Sequence, residues 1–503
     1  MDVIVIGGGV SGLMASLALG RDGHSVTVIE RDPTTSVVPV DPNVAFIDWE
    51  RKGAVHVRQS HAFLARIRNL LRDRAPDVLA ELLHAGATEI TIDEVMPPTM
   101  TDRTPRAGDE DMVMLACRRI TFEWVLRRIV AQEPHVTWLA GQGVGAPHVS
   151  PESSARIPMV DGVTLDDGTF IGADLVVDAS GRRSPIMRWM AEIGADTPPE
   201  SVHDCGIVYY SRFYRFLDGQ GPPPPAPASG DLGYLKFGMF RGDNRTFSLT
   251  MASYGDDRDM RCLSRNAPFE LCAQTLAPTA SWVEPSRAEP ITDVQVMAKL
   301  RNRSRHFVVD GKPLVLGLAV IGDAAMCTNP LYGRGCSLGS VHAFALTDAL
   351  RKHVVGKHTV GEHTVGEHMV GAHTIDHDAL ALDLHDRATT EIEPFYKAAV
   401  RQDRDAEIGR AIAMGTHTIA ADDPAEQMRS MIREGLMPAV RTDPVVFRAF
   451  FRGLNLLAVP DSLMSDADVI GRVVEVWNHR DERAPEPPLG PPRDEMIKLL
   501  AAV

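Results

Sequence analysis

Lysine is scarce in this chain: it supplies 8 of the 52 basic side chains, against 44 arginines. With 67 acidic residues the formal net charge is −15, which argues against nucleic acid or an anionic membrane as the main partner. The arginine skew reads as codon composition, although a guanidinium is also the better phosphate clamp. Six cysteines (Cys117, Cys205, Cys262, Cys272, Cys327, Cys336) form no CxxC pair and no metal-ligand spacing, which excludes a dithiol centre. They read as reduced core residues of a cytoplasmic protein. No apolar run reaches the roughly 18 residues a transmembrane segment needs. The chain opens on a strand-like run with no basic segment before it, so no signal peptide is expected. A second G-x-G-x-x-G unit is also lacking, which argues against a separate nicotinamide domain. With 503 residues and 44% hydrophobic content, two to four structural units can bury a core without disulfide or metal staples.

The N-terminus carries the first positive signal. Val3 to Ile6 is β-branched and apolar, as a buried parallel strand requires. It runs into Gly7-Gly8-Gly9-Val10-Ser11-Gly12, a helical stretch from Leu13 to Asp22, and Gly23 placed to end it. Ser25 to Ile29 reads as a second strand and finishes at Glu30. Gly7 makes the tight turn, Gly9 lets the backbone approach a pyrophosphate, and Gly12 lets helix and strand pack closely. The helix N-terminus attracts the phosphate charge. Glu30 can accept hydrogen bonds from ribose hydroxyls. The pattern predicts a dinucleotide, and by itself serves NAD and FAD equally.

Later motifs separate the two. A hairpin signal, Val163-Thr164-Leu165 and Thr169-Phe170-Ile171 around Asp166-Asp167-Gly168, precedes a strand-like run from Ala173 to Val177. Asp178-Ala179-Ser180-Gly181-Arg182-Arg183-Ser184 follows it. Leu314 to Ile321 is another expected strand, ending at Gly322-Asp323-Ala324. Asn329-Pro330-Leu331-Tyr332-Gly333-Arg334-Gly335-Cys336-Ser337 then opens an apolar-periodic helix to about Leu350. A carboxylate at a strand end beside a Gly-rich helix start suits a chain of sugar hydroxyls and an electron-rich ring edge.

These three motifs in this order resemble the group A flavoprotein monooxygenases, the para-hydroxybenzoate hydroxylase superfamily, over roughly residues 1–350. That superfamily includes squalene epoxidases, geranylgeranyl reductases and flavin-dependent halogenases. The resemblance implies an α/β fold: a Rossmann-like FAD-binding domain of the glutathione-reductase type, an interleaved β-sheet substrate domain and a helical C-terminal region. It implies that Gly7, Gly9, Val10, Ser11, Gly12, Glu30 and Arg31 face the ADP half of FAD. Arg119, whose alternative is a solvated helix charge, matches the arginine near the phosphates or ribityl chain. Val144 and Asp178 join the cofactor-binding set, and Gly322 and Asp323 hold the ribityl hydroxyls. The stretch Pro330, Gly333, Gly335, Cys336 and Ser337 lies along the isoalloxazine ring. Two positions depart from the hydroxylases. Ser180 stands where they carry the aspartate linked to FAD and NADPH handling. Ser337 and His342 stand where they often carry Asn and Asp. Arg51-Lys52-Gly53-Ala54-Val55-His56-Val57-Arg58-Gln59-Ser60-His61 is similar to a stretch of bacterial polyether and terpene epoxidases. It keeps the Arg51, Gly53, Arg58 and His61 positions and lacks the Pro and Gln.

The implied domains are discontinuous. Residues 1–75, 106–199 and 290–352 form the FAD domain, and 76–105 with 200–289 the substrate domain. Residues 353–378 form an insertion, and 379–503 a helical region. The insertion repeats five residues, with histidines at 353, 358, 363, 368 and 373. A period of five fits neither helix nor strand, so it reads as a solvent-exposed expansion, with metal binding by clustered imidazoles as the alternative. The Pro-rich run from Gly221 to Pro227 reads as a surface connector. Apolar Val445 to Leu457 reads as a lid over the pocket, or as a peripheral membrane contact.

The reaction follows from kinship. The resemblance implies a monooxygenase, an epoxidase or hydroxylase, acting through a flavin C4a-hydroperoxide on a hydrophobic, natural-product-like small molecule with O₂. Electrons come from NAD(P)H or a partner flavin reductase. Arg58 and His61 are the catalytic candidates on the flavin's face, with a plain core or surface role the alternative for His61. The halogenase W-x-W-x-I-P motif is absent, and Lys52 is the one lysine in the first 235 residues. The Y-x-W-x-F-P pattern of geranylgeranyl reductases finds neither Trp nor Pro at Tyr234 to Gly238. Another FAD oxidoreductase of the same fold, or a non-catalytic flavin-binding protein, remains the alternative.

Overall fold

A computed structural model describes the chain apart from residues 34–40, 151–156, 225–227, 357–372, 414–415, 417–422 and 485–486. Apolar runs with β-branched residues become parallel strands, buried in the middle of the sheet and only half-buried where Val136–Ala140 forms one edge. The strands are β1 Asp2–Ile6, β2 Ser25–Glu30, β3 Val136–Ala140 and β4 Leu175–Asp178, with β5 Leu318–Val320 at the edge. The sheet order is β5-β4-β1-β2-β3, all parallel. Ile6 is in register with Asp178 and with Ile29, so the Gly-rich turn, Glu30 and Asp178 lie together at the strands' C-terminal ends. In open parallel sheets that edge is where ligands bind.

Helix α1 Val10–Arg21 starts three residues earlier than the apolar pattern suggests, and Gly23 with φ of +81° ends it. Helices α2 Arg119–Gln132 and α3 Gly335–His353 cover the sheet beside α1. The expected long strand from Leu314 to Ile321 shrinks to Leu318–Val320. Gly317 adopts φ of +70°, with its α-carbon so close to the Val160 carbonyl that a β-carbon would lie 2.0 Å from that oxygen. The hairpin at Asp166–Gly168 forms as expected, between Val160–Leu165 and Phe170–Gly172.

A second, antiparallel sheet is built from Ser229–Asp231, Leu235–Arg241, Thr246–Tyr254, Ile207–Phe216 and Ala288–Pro290, with Gln295–Met297 also paired to Ile207–Phe216. Period-2 alternation sorts its two faces. Tyr210, Tyr214, Phe237, Phe247 and Leu249 pack outward against Phe269, Leu276 and Met496. Tyr209, Ser211 and Phe213, with their partners Ala252, Thr250 and Ser248, turn towards the parallel-sheet unit, where Phe213 meets Phe46 at 5.1 Å. Beyond residue 376 the described chain is helical. Glu393–Ala413 (α4) and Pro444–Leu454 (α5) are its main elements for the site. Phe447 and Phe451 of α5 pack with Met96, Met100 and Met112. Of the pentapeptide histidines, 358, 363 and 368 lie outside the described residues, as does part of the Pro-rich run. Among the described residues no helix is long and apolar enough to cross a membrane.

Candidate functional site

The Gly-rich turn is shaped by contacts that a side chain would break. Gly7 has φ of +104°, and a β-carbon on it would stand 2.7 Å from the Ala179 carbonyl oxygen. On Gly12 it would stand 1.9 Å from the Gly7 carbonyl oxygen. Gly9, the N-cap of α1, faces open space and has no side-chain cap. An uncapped helix start with free approach is an anion site in waiting. Val10 is buried in the helix. Ser11 fills the space beside Gly322 and Gly339, whose β-carbons would lie 2.4 and 2.3 Å from its Oγ.

Glu30 is buried at the end of β2, where its carboxylate accepts from Gly8 N at 2.8 Å and from Asp32 N at 3.0 Å. Arg31 beside it is exposed. Behind Glu30 lies a charge cluster that the motifs did not announce. Arg51, 4% exposed, donates to Glu123 Oε2 at 2.6 Å and to the Gly8 carbonyl at 3.2 Å, and sits 3.6 Å from Glu30. Arg119 donates to the other oxygen of Glu123 at 2.7 Å and to His61 Nε2 at 3.2 Å. Glu123, fully buried, thus holds two guanidinium groups, and their charge keeps its carboxyl below the usual range despite burial. Its four-residue spacing from Arg119 on α2 was readable as a helical ion pair.

His61 also donates from Nδ1 to the Gln59 carbonyl at 2.9 Å. Both ring nitrogens are therefore engaged. Burial and the Arg119 charge push its pKa down to about 3, which fixes a neutral Nδ1–H imidazole. Arg58, the other catalytic candidate, stands elsewhere. Its guanidinium donates to the carbonyls of Phe46 at 2.8 Å, Ile47 at 2.9 Å and Trp49 at 3.4 Å, closing the end of helix Pro42–Asp48.

Asp178 is fully buried, and burial raises its pKa. It accepts from Ser180 N at 2.9 Å, Ser180 Oγ at 2.6 Å and Ser184 Oγ at 2.5 Å. Ser180 therefore braces its own turn. Val144 stands in the three-stranded sheet beside β4, half-buried and paired with Leu165. Asp323 follows β5 with a third of its side chain reachable and Arg182 Nε 3.9 Å away. Gly322 donates from N to His342 Nδ1 at 3.2 Å, so this histidine is an acceptor; burial lowers its pKa to about 4.

The turn before α3 is held by a hydrogen-bond network. Asp403 of α4 accepts from Asn302 Nδ2 at 2.7 Å, Asn329 Nδ2 at 2.8 Å and Tyr332 OH at 2.7 Å. Asn329 Oδ1 accepts from Tyr209 OH at 2.5 Å and Leu331 N at 3.1 Å. Pro330–Tyr332 is one helical turn closed by Gly333 at φ +64°. Gly335 faces open space, Cys336 is buried, and burial raises its thiol to about 11. Ser337 Oγ is buried with no hydrogen-bond partner. An orphaned hydroxyl in the first turn of an uncapped α3, facing the uncapped α1 across the strand ends, is a fit for a cofactor carrying a pyrophosphate and a polar ring edge. The structure brings together Gly7 to Gly12, Glu30, Arg119, His61, Asp323 and the 330–337 turn. Asn302, Tyr209 and Asp403 left no local pattern, because each contributes one residue from a distant element.

Comparison with known proteins bears on the N-terminal unit and on the fold. Residues 2–37 match the family described as FAD dependent oxidoreductase. Protein Rv3254 of Mycobacterium tuberculosis is 29% identical over 377 residues, covering 69% of this chain and 72% of its own. Among solved structures, PqsL of Pseudomonas aeruginosa in complex with 2-aminobenzoylacetate superposes with a TM-score of 0.53 at 17% identity, over 82% of this chain and 96% of that one. The myxobacterial chondrochloren halogenase CndH, an FAD-dependent halogenase, does so with a TM-score of 0.54 at 16% identity, over 91% and 96%. The N-terminal unit is thus similar to that of FAD-dependent oxidoreductases, and the fold is the one shared by these flavin enzymes.

Proposed function

We propose that the chain is a flavin monooxygenase that inserts one atom of O₂ into a neutral, hydrophobic small molecule, by epoxidation or hydroxylation. Bound FAD supplies the redox chemistry, reduction followed by activation of O₂. Gly9 N and the first amides of α1 bind the pyrophosphate, Glu30 the ribose, and Asp323 the ribityl hydroxyls. The turn Pro330–Gly335 and the Ser337 hydroxyl orient the ring.

One observation carries the reading: among the described residues, the buried ionisable groups from the Gly-rich turn to the proposed ring position already have partners. Glu123 is matched by Arg51 and Arg119, His61 is neutral and doubly hydrogen-bonded, and Asp178 is held by two serines. Such a site orients substrate and keeps water away, and offers no free base or acid. Oxygen insertion needs no more from the protein. A halogenase reading is less supported: Lys52 is exposed and Lys236 is paired with Asp231. Electrons come from NAD(P)H or from a partner flavin reductase. The six cysteines are all unpaired, which supports a cytoplasmic enzyme.

The test is product analysis with ¹⁸O₂. Reduced holoenzyme and a panel of alkenes and electron-rich aromatics should give product carrying one labelled oxygen, with the same yield in chloride-free buffer. Stoichiometric hydrogen peroxide with every substrate, or halide-dependent product, would overturn the proposal. Anaerobic mixing with NADPH or NADH, with and without a flavin reductase, identifies the donor.

A further inference from the structure

Helix Ala65–Arg74 runs straight on from the stretch Ser60–Leu64 that borders the ring turn, and its own N-cap, Leu64, offers no side-chain acceptor. The missing acceptors come from the end of α5, 390 residues along the chain. Asn455 Oδ1 accepts from Ala65 N at 2.9 Å, and the Asn455 carbonyl accepts from Arg66 N at 3.2 Å. Asn455 Nδ2 donates to the Phe451 carbonyl at 3.0 Å. One amide therefore closes α5 and opens Ala65–Arg74. The residue is fully buried, where water cannot replace these bonds.

The turn that presents this amide is held at a cost. Leu457 N donates to the Arg452 carbonyl at 2.9 Å and Leu456 N to the Gly453 carbonyl at 3.3 Å, the pair of bonds that ends a helix on a left-handed residue. Glycine is the usual occupant there. Here it is Leu456, at φ of +59°, a conformation that a β-carbon disfavours. Its side chain, 4% exposed, packs in a cluster with Leu64, Leu338, Val341, Ile392 and Phe395, and this burial offsets the strain. Leu64 ends the ring-bordering stretch, and Leu338 follows Ser337 in the first turn of α3.

Two contacts carry the clasp to the ring turn. Within Ser60–Leu64, His61 accepts from Arg119 of α2 at 3.2 Å. Ala62 lies against the turn before α3, where a β-carbon on Gly333 would stand 3.0 Å from the Ala62 β-carbon. Towards its other end α5 is tied down as well: Arg448 donates to both oxygens of Asp109 at 2.8 Å and to the Thr104 carbonyl at 3.0 Å. α5 is thus a bar fixed to residues 104–109 on one side and to the ring stretch on the other.

We propose that Asn455 is a positioning residue for the flavin ring, acting through the stretch Ser60–Leu64, with Leu456 locking it in place. The ring's identity rests on the cofactor assignment above, while the clasp itself does not. The test compares Asn455→Ala with Val473→Ala, which removes buried methyl groups from helix Ala467–Asn478 in the same C-terminal unit. Amide hydrogen exchange of the holoenzyme, read on peptides covering residues 60–68, should speed up about 10-fold or more in Asn455→Ala and keep the parent's rate in Val473→Ala. The visible circular dichroism of bound FAD should change in the first variant alone. Leu456→Gly keeps the left-handed turn and removes the packing, so it should show the same contrast more weakly, and it decides the matter where Asn455→Ala does not fold. Leu456→Ala keeps the strain and loses the packing, and its unfolding constant should exceed that of Leu456→Gly about fivefold. Exchange at 60–68 that rises alike in Asn455→Ala and Val473→Ala, or in neither, would overturn the proposal. So would unchanged flavin dichroism beside faster exchange. Leu456→Ala as stable as Leu456→Gly would overturn the lock. A parent protein that holds no FAD, with the exchange contrast intact, would overturn the cofactor assignment and not the clasp.

Discussion

The two ends of the proposed cofactor cleft are built by different means. The ADP end comes from one contiguous segment, residues 2–30, in which backbone approaches and missing side chains do the shaping. The ring end is assembled from Ser60–Ala62, Asn302, Asn329–Ser337, Tyr209 and Asp403, held by side-chain hydrogen bonds between distant elements. A site of the first kind fails sterically, at single glycines. The second kind fails by losing a partner, and leaves its remaining polar groups buried and unsatisfied. Between them stands the Arg51–Glu123–Arg119–His61 cluster, which touches Gly8 at one end and borders the ring turn's neighbour at the other.

The sharpest way to break this comparison is at the glycines. Gly12→Ala places a carbon 1.9 Å from the Gly7 carbonyl oxygen, a backbone atom that cannot swing away. The expected cost is about 3 kcal/mol or more, with loss of both FAD and the cooperative unfolding transition. Gly9→Ala, where nothing lies within 4 Å, should unfold at the parent's urea midpoint and still lose FAD affinity. If both variants behave alike, the steric account of the ADP end is wrong.

Glu123→Gln tests the join between the ends. It leaves Arg51 and Arg119 sharing one neutral amide in a fully buried position, and breaking such a cluster costs about 3–5 kcal/mol. Urea unfolding of apoprotein measures it directly. A loss under about 1 kcal/mol would mean that the arginines find other anions, and that the cluster does not connect the two ends.

These two regions also differ in how readable they were. The strand–turn–helix–strand of the ADP end is local, so hydrophobic period, glycine spacing and an acid at the strand's end suffice to place Gly7, Gly9, Gly12 and Glu30. Asp178 and Ser180 were visible as a motif, yet their contacts show a turn that braces itself. Asp403 was invisible: an aspartate on a polar helix means nothing until Asn302, Asn329 and Tyr332 are folded against it. The strand expected to begin at Leu314 failed for the same kind of reason, since the close approach of Gly317 to Val160 is a tertiary contact. Arg58 was singled out by its place in a stretch similar to other enzymes, while its work at a helix end depends on where Phe46 and Ile47 fold back.

His342 gives a pH signature of the ring end. Its folded pKa of about 4 lies below the usual 6.5, so the folded protein resists a proton that the unfolded chain accepts. Stability from this group is constant above pH 6.5, falls as pH drops from 6.5 towards 4, and changes little below that. Between pH 7.5 and 4.5 the loss is about 2.5 kcal/mol. His342→Gln, which keeps an acceptor for Gly322 N, should flatten that part of the urea-midpoint profile. An unchanged slope would show that His342 is protonated in the fold and that its contact to Gly322 is not the one described.

The smallest effect is expected outside both ends. Arg58→Ala removes a guanidinium that serves the carbonyls of Phe46, Ile47 and Trp49, in a partly solvated position where water can replace it. The expected cost is about 1 kcal/mol in urea unfolding. Flavin content, absorbance spectrum and rate of reoxidation by O₂ should all match the parent. A tenfold slower reoxidation at unchanged stability would carry the ring end out to Arg58. It would also mean that helix Pro42–Asp48, which this arginine closes, moves against the cleft during the reaction, because in the resting arrangement the guanidinium faces the helix carbonyls and has no contact with His61 or Arg119.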